Sequence, residues 1–249
     1  MNLKRILSAV LGLSLAAVLT VGTSKAESFD AKKKEEIHTI IKEYLLNNPE
    51  VIRDAIQELN KRHEAAAEEN RSKILSNIYK EDSQYSLGKG KITLVEFFDY
   101  NCGYCRLVFN DLVKLTEKEK DFRIVFIEYP TRSKDSLVAS QIAVAAAKQN
   151  KYFEFHRAAM TVEGGLTQEK AFQIAANVGL NIDKLKADMQ SPEVQATLQN
   201  NMQLGASLGV EGTPAFYIGD EVIPGAQENL EQLVIGYIKQ IREKGCRSC

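Results

Sequence analysis

Two cysteines lie where a strand pattern gives way to a helix pattern. Residues 91–98 form an apolar run typical of a buried strand, and from residue 107 apolar residues recur with helical spacing. Cys102 therefore falls at a predicted helix N-terminus, where unpaired N–H groups and partial positive charge favour a thiolate. Cys105 lies one helical turn on, close enough to form a disulfide with Cys102 or to release a partner bound there. The pair predicts a redox switch, not a structural disulfide or half a metal site.

The residues around the pair suit exchange with a polypeptide. Gly103 permits close approach of a substrate backbone, and Tyr104 places a ring and a hydroxyl near the sulfur atoms. Glu96 precedes Cys102 by six residues in the predicted strand, where a buried carboxylate is costly unless it is paired or functional. Two interpretations of Glu96 stay open: a proton-handling acid, or a structural carboxylate with hydrogen-bond partners.

The first 26 residues have the features of a cleavable secretory signal peptide. Lys4 and Arg5 precede an uncharged apolar run over 6–21, and Ser24-Lys25-Ala26 is a small-x-small cleavage site. The alternative is an uncleaved membrane anchor, but the run is shorter than the roughly 18–20 apolar residues that such an anchor needs. Export and two C-x-x-C pairs indicate an oxidising envelope compartment. The balance of 32 basic and 33 acidic residues gives no reason to expect nucleic acid as a partner.

Residues 27–80 predict an N-terminal helical oligomerisation segment, with two amphipathic helices and a solvated connector. So short a segment cannot build a core alone, so its apolar stripes need another surface. That surface is either the main domain or the same segment of a second chain. We favour the second chain, because the polar connector separates the stripes from the rest, and expect a homodimer or small homo-oligomer. The stripes are Ile37, Ile40, Ile41, Tyr44, Leu45, Val51, Ile52, Ala55, Ile56 and Leu59.

Residues 85–245 predict an α/β domain. A strand, a helix and a strand over 91–98, 102–120 and 123–129 form a βαβ unit, with the cysteines at the carboxyl end of its first strand. Ser86 to Gly90 is predicted to be a loop or turn. Residues 131–209 predict a helical insertion, and strands resume over 215–218 and 221–223 before a helix over 227–243. Cys246 to Cys249 form a separate tail.

Three features in this order resemble the DsbA family, the thioredoxin-fold disulfide oxidoreductases of the bacterial envelope. They are the strand ending at 96–100, the Cys102 and Cys105 pair, and Gly212-Thr213-Pro214 before a late strand. The resemblance implies a thioredoxin fold with a helical insertion. It also implies a cis bond before Pro214 beside the cysteines and a proton-handling acid at Glu96. The redox centre would be a Cys102–Cys105 disulfide, with no separate cofactor and no metal.

The N-terminal segment contains the run Tyr44-Leu45-Leu46-Asn47-Asn48-Pro49-Glu50. With this segment included, the chain also resembles the Com-type outer membrane protein group, which would place it in the periplasm with an outer-membrane association. Gly103-Tyr104 and Thr213 look like the disulfide isomerase branch rather than the strongest oxidants. The implied substrates are unfolded or misfolded exported proteins, and the implied recycling partner is a membrane redox protein. Whether the chain mainly forms disulfides or isomerises them stays open.

Cysteine and histidine residues also occur in cysteine proteases and in zinc sites. A cysteine protease would need His156 beside Cys102, and a zinc site would need the two cysteine pairs about 15–20 residues apart, so we expect neither. His38 and His63 are expected on the surface or in packing. The Cys246 and Cys249 pair is either a small disulfide in a frayed terminus or an auxiliary redox pair. The alternative function is a chaperone-like or structural surface protein that uses the fold only for binding.

Overall fold

The computed structural model describes residues 30–249, so the predicted signal peptide over 1–26 lies outside the described residues. The described chain falls into two compact units divided between Leu59 and Asn60. No helix within residues 30–249 combines the length and the apolar character that a membrane crossing requires.

The first unit consists of α1 (Ala31–Asn47) and the beginning of α2 (Glu50–Lys80). Asp30 caps α1 by accepting a hydrogen bond from the backbone N–H of Lys33 at 2.7 Å. No residue of α1 is buried. The large apolar side chains that this unit exposes are Ile37, Ile40, Ile41, Tyr44, Leu46, Val51, Ile52, Ile56 and Leu59. The two predicted helices are confirmed, and their apolar stripe is uncovered.

The second unit is built on a five-stranded mixed sheet of order β1-β3-β2-β4-β5. Central β2 is parallel to β3, while β1, β4 and β5 pair antiparallel with their neighbours. A helix, α3 (Gly103–Lys118), connects β2 to β3, so the predicted βαβ unit is confirmed. The strands are β1 (Ser86–Gly88), β2 (Ile92–Phe98), β3 (Phe122–Glu128), β4 (Ala215–Ile218) and β5 (Glu221–Pro224).

Residues 86–88 correct the sequence interpretation of 86–90 as a loop or turn. They form β1, which pairs with Arg123 to Val125 of β3. Only three residues pair, and the segment contains Ser86 and Gly88, so neither length nor composition marked it as a strand. The pairing covers an edge of β3 that would otherwise expose unpaired backbone groups.

The sheet is covered on both faces, which explains the continuous apolar character of β2. Ile92, Leu94 and Phe98 belong to the larger core cluster with α3, and Val95 and Phe97 belong to the opposite cluster. Side chains alternate between the faces of a strand. Glu96 therefore points to the face that carries α3 and the cysteine pair.

The predicted helical insertion is present, with no strand between residues 131 and 209 of the described chain. Side chains of Ser133, Thr167, Asn181 and Ser191 each cap the helix that follows. The helices are α4 (Lys134–Ala147), α5 (Tyr152–Thr161), α6 (Gln168–Asn177), α7 (Ile182–Met189) and α8 (Pro192–Leu208), followed after the sheet by α9 (Leu230–Lys244).

The end of α2 differs from the predicted solvated connector, because its apolar side chains are packed into the core. Leu75 is fully buried in the smaller core cluster, with Ile74 and Ile78 packed around it. The Tyr79 hydroxyl donates to the carbonyl oxygen of Gly219 at 3.0 Å. Three apolar residues within two turns were the sequence signal for this packing, and the charged residues before them masked it.

Of the predicted small disulfide in a frayed terminus, the disulfide is present but the terminus is not frayed. Cys246 and Cys249 form a disulfide, and Ser248 between them is only 1% exposed. Asp220 accepts hydrogen bonds from the backbone N–H groups of Arg247 and Ser248 at 2.7 and 2.9 Å. The Ser248 hydroxyl lies 3.1 Å from that of Ser72 in α2. The tail therefore ties the β4–β5 turn to α2.

Candidate active site

The structure places Cys102 at the N-cap of α3, one residue before the first helical residue. Its backbone is extended, and its N–H donates to the carbonyl oxygen of Asp99 at 3.0 Å. Its carbonyl oxygen accepts from the backbone N–H of Arg106 at 3.2 Å. An N-cap side chain lies among the first unpaired N–H groups of the helix. Cys102 and Cys105 are both buried and free, so the structure shows the reduced pair.

The surroundings of Cys102 favour its thiolate. A hydrogen bond from the Cys105 side chain, helped by Thr213 and by the backbone of Cys105 and Tyr104, lowers the pKa of Cys102 to about 5 although burial opposes this. The Thr213 hydroxyl is buried and has no other hydrogen-bond partner among residues 30–249, so it can donate a hydrogen bond to the Cys102 thiolate. Cys102 is therefore ionised at neutral pH.

Cys105 has the opposite character. Burial raises the pKa of the Cys105 thiol strongly, and its hydrogen bond to Cys102 and the nearby Glu96 raise it further. Cys105 therefore stays protonated at neutral pH and donates to the Cys102 sulfur. The two cysteines thus differ in protonation. Cys102 lies at the N-terminus of α3, whereas Cys105 lies one helical turn further on, in the core.

Glu96 lies on the same face of the sheet as the cysteines and is fully buried. Neither carboxylate oxygen has a hydrogen-bond partner among the described residues. Burial, and then the charge on Cys102, raise the pKa of Glu96 well above its ordinary value. The described residues therefore supply none of the partners that a hydrogen-bonded structural carboxylate would have, and the raised pKa favours the neutral acid beside the cysteine pair.

The Thr213–Pro214 peptide bond is cis, as the resemblance implies. The Thr213 carbonyl oxygen lies 3.1 Å from Sγ of Cys102. On the outer side, a Cβ added at Gly103 would meet nothing within 4 Å, and Tyr104 is 66% exposed. A groove of about 560 Å³ starts at Tyr104 and Leu107 and runs to the start of α9. The structure thus brings all seven sequence-predicted site residues to one place.

A buried polar network behind the cysteines was not predicted. Tyr100, Ser140 and Tyr152 donate to the carboxylate of Glu128, and burial raises the pKa of Glu128 to about 8. Strand alternation was a usable signal, since Glu128 ends β3 on the same face as α3. His156 contacts the Tyr100 hydroxyl rather than Cys102, and burial lowers the pKa of His156 to about 3, so it offers no imidazolium to the thiolate.

The side chain of Asp99 was also missed. It is fully buried and accepts hydrogen bonds beside the cysteines. An acid directly after an apolar strand was its only signal. The described part of the chain contains no group of three or more His, Cys, Asp or Glu side chains that could hold a metal ion.

Two family models match the chain. Residues 93–234 match the DSBA-like thioredoxin domain, and residues 34–66 match the N-terminal domain of copper resistance protein ScsC. The first match begins within β2 and covers β3, β4, β5, the cysteine pair and the helical insertion, but not β1. The second covers the exposed apolar stripe of α1 and the start of α2.

The chain is similar to two kinds of curated relative. The chain is 25% identical to the thiol:disulfide interchange protein DsbA of Bordetella pertussis, over 59% of this chain and 77% of that protein. It is also 23% identical to the Na(+)/H(+) antiporter NhaA of Herminiimonas arsenicoxydans, over 55% of this chain and only 22% of that protein. The chain therefore spans about a fifth of the length of such antiporters.

Solved structures confirm the fold. A thioredoxin-like oxidoreductase from Silicibacter pomeroyi DSS-3 is 35% identical with a TM-score of 0.63, over 68% of this chain and 96% of that one. ScsC of Proteus mirabilis in a transitional conformation is 27% identical with a TM-score of 0.62, over 87% and 98% of the two chains. The expected α/β thioredoxin fold with a helical insertion and a preceding helical segment is therefore confirmed. The chain belongs to the family of DSBA-like thioredoxin domains.

Proposed function

We propose that the chain is a thiol–disulfide oxidoreductase that forms or isomerises disulfides in exported proteins through Cys102 and Cys105. The observation that carries the proposal is the opposite shift of the two pKa values, downward to about 5 at Cys102 and upward at Cys105. A low thiolate pKa makes Cys102 both an available nucleophile and a good leaving group. Membership of the family supports the same chemistry.

Oxidation of a substrate starts from the Cys102–Cys105 disulfide. A substrate thiolate attacks Sγ of Cys102, the bond to Cys105 breaks, and Cys105 takes up a proton, for which Glu96 is the adjacent acid. The second substrate thiolate then attacks the substrate sulfur bound to Cys102, and Cys102 leaves as a thiolate. The substrate loses two electrons and two protons. The pair gains two electrons and retains one proton, on Cys105, and the other goes to solvent.

Isomerisation starts from the reduced pair that the structure shows. The Cys102 thiolate attacks a wrong substrate disulfide, forming a mixed disulfide and freeing a substrate thiolate. That thiolate attacks another substrate disulfide, and the rearranged chain finally displaces Cys102, with no net transfer of electrons. If rearrangement stalls, Cys105 attacks Cys102 and releases the substrate reduced. Thr213 and the Gly103-Tyr104 dipeptide support this role.

The exposed surface around the site suits an unfolded polypeptide. Gly103 leaves open space, and the groove beside Tyr104 is lined by apolar Leu107 and by the acidic Asp111 and Glu231. Such a surface offers apolar contact and attraction for basic residues without demanding one sequence. Unfolded and misfolded exported proteins are therefore the proposed substrates.

The N-terminal helices are proposed to form a homodimer or small homo-oligomer. These helices expose nine large apolar side chains, among them Ile40 at 64% and Leu46 at 70%. Exposed apolar patches of this kind mark protein interfaces. An assembly would hold a misfolded substrate near several cysteine pairs and so favour repeated exchange.

The location and the recycling partner are proposed from the signal-like features of residues 1–26. We place the protein in the periplasm after cleavage at Ala26, with a membrane redox protein restoring its active redox state. An outer-membrane association, as in the Com-type group, is part of the same proposal. The support is the signal-like sequence over 1–26.

One observation favours the second candidate, a chaperone-like or structural surface protein. The apolar stripe could bind unfolded chains without any cysteine chemistry. That function would leave the paired pKa shifts at Cys102 and Cys105 without a use.

Insulin reduction and refolding of a scrambled disulfide substrate test the proposal. Wild type should accelerate both, Cys102→Ser should accelerate neither, and Cys246→Ser/Cys249→Ser should behave as wild type. If Cys102→Ser refolds the scrambled substrate as fast as wild type, cysteine exchange is not the activity. If it suppresses aggregation while wild type shows no exchange, the binding function replaces the proposal.

A further inference from the structure

The carboxylate of Asp99 is fully buried immediately after β2. One oxygen accepts from the backbone N–H of Asn101 and from the hydroxyl of Ser136, both at 2.7 Å. The other accepts from the backbone N–H groups of Thr131 and Arg132 at 2.9 and 3.0 Å. A buried carboxylate with four good donors is held in one position, and it holds its donors in turn.

The backbone of the same residue contacts both cysteines. Its carbonyl oxygen accepts the N–H of Cys102 at 3.0 Å, which closes the turn between β2 and α3. A backbone hydrogen bond from Asp99 to the Cys105 side chain partly offsets the rise in the pKa of that thiol. The residue that fixes the turn through its side chain therefore meets both sulfur-bearing residues through its main chain.

Asn101 extends this support into the helical insertion. Its side-chain oxygen accepts from the backbone N–H of Leu166 at 2.8 Å, and its amide donates to the Leu166 carbonyl at 3.0 Å. The turn over 99–102 is thus joined to the segment after β3, to the start of α4 and to the loop before α6. Three separate parts of the domain define its conformation.

We propose that Asp99 is the positioning residue for both cysteines. Its carboxylate fixes the turn that places Cys102 at the N-cap of α3, among the N–H groups of Tyr104 and Cys105, and sets Cys105 against Cys102. Asp99 touches no substrate atom and acts through the backbone. This inference rests on thiol–disulfide exchange at Cys102, whichever of oxidation and isomerisation predominates.

The test is the pH dependence of Cys102 alkylation in the full-length Asp99→Asn protein. The side-chain amide of asparagine would place its own N–H groups against the N–H groups that now donate to Asp99. The turn over 99–102 should therefore loosen, and the Cys102 thiolate should lose its hydrogen-bond partners. A pKa that rises from about 5 to about 7 would slow alkylation at about pH 6 roughly tenfold and leave the rate at about pH 9 within about twofold. The matched control is Asp183→Asn, the same exchange at an exposed position of α7, which should leave the profile unchanged.

A general loss of structure is separated from positioning by a milder variant. Ser136→Ala removes one donor to Asp99 and should slow alkylation at about pH 6 by at least about twofold, with an unchanged rate at about pH 9. If Asp99→Asn folds and keeps the wild-type profile, or Ser136→Ala does, Asp99 does not position the cysteines. Failure of the exchange function itself would show separately, as wild-type protein without insulin reduction.

Discussion

Cys102 and Cys105 differ because of where they lie on one helix. The helix N-terminus, the Cys105 thiol and Thr213 favour charge on Cys102, whereas burial and the Cys102 charge disfavour it on Cys105. We therefore expect Cys102→Ser to abolish mixed disulfides with a scrambled substrate. Cys105→Ser should accumulate them, because the substrate can be attacked but not released by the pair.

Mass spectrometry of alkylation-quenched mixtures measures those adducts, with Cys246→Ser/Cys249→Ser as the control that leaves the active pair intact. Equal amounts of substrate adduct on Cys102→Ser and Cys105→Ser would contradict the assignment of the nucleophile.

The difference between the pKa values of Cys102 and Cys105 also sets the pH dependence of the reduction potential of the pair. Because the pKa of Cys102 is lowered to about 5, the reduced form gains stability over an ordinary dithiol as pH rises from about 5 to about 8.5, and it loses that gain as pH falls through about 5. At neutral pH reduction takes up two electrons and one proton. The potential should then fall by about 30 mV per pH unit.

Equilibration with glutathione between about pH 6 and pH 8, read from the Cys102 and Cys105 peptide, measures this slope. Cys246→Ser/Cys249→Ser should give the same slope, since the tail disulfide does not contribute. A slope of about 59 mV per pH unit would mean that both thiols are protonated and that Cys102 is not activated.

At the scale of residues, the sequence identifies the residues of the site better than the groups that they contact. Cys102, Cys105, Gly103 and Tyr104 follow from local spacing, because an N-cap is a local property. Thr213 and Pro214 needed the resemblance, since more than a hundred residues separate them from the cysteines. Asp99 and Glu128 were missed because their donors come from segments that meet only in the folded chain.

At the scale of elements, the C-terminal disulfide supports the junction of α2 with the sheet. Cys246→Ser/Cys249→Ser should lower the free energy of unfolding by about 2 kcal/mol, the loop-entropy value for so short a ring. Hydrogen exchange should quicken over residues 68–80 of α2, because Ser248 contacts Ser72 and Arg247 pairs with Glu68.

Urea unfolding and hydrogen–deuterium exchange provide these measurements, and Ser248→Ala, which keeps the disulfide, separates the hydrogen bonds from the covalent ring. Alkylation of Cys102 should not change. If loss of the tail disulfide instead slowed insulin reduction severalfold, the tail would be an auxiliary redox pair rather than a structural support.

Elements with a long helical periodicity were predicted correctly. Elements that depend on pairing or packing with distant segments were not. The insertion helices α4 to α8 have apolar residues at helical spacing, four of the five have a side-chain N-cap, and all lie within the predicted range 131–209. β1 has three residues and exists because β3 offers it an edge. The end of α2 is buried by a sheet face and a C-terminal tail that local sequence does not reveal.

At the scale of the whole molecule, the division after Leu59 separates the helices for which we propose an assembly role from the unit that contains the cysteine pair. Deleting residues 27–59 should give a folded monomer that still reduces insulin, because the sheet, the core and the cysteine pair lie in the second unit. It should lose acceleration of scrambled-substrate refolding, which depends on retaining the substrate. A longer deletion through residue 75 would remove Leu75 from the core and should cost about 2–5 kcal/mol or more.

Light scattering and the two activity assays on the shorter deletion test both parts. A matched variant with Ile41→Asp and Ile56→Asp in the full chain should reproduce the monomer without removing any residue. A full-length protein that is already monomeric would contradict the assembly, and a monomeric variant that isomerises as well as wild type would contradict its role.

The most direct test of the account is the rate of Cys102 alkylation as a function of pH in the reduced, full-length protein. Peptide mass spectrometry assigns the modification to Cys102 and separates it from Cys105, whose raised pKa should keep it unreactive. We predict a half-maximal rate near pH 5, where the pKa of Cys102 lies. A rate that rises only near the free-thiol value of about 8.5 would contradict an activated nucleophile at the start of α3.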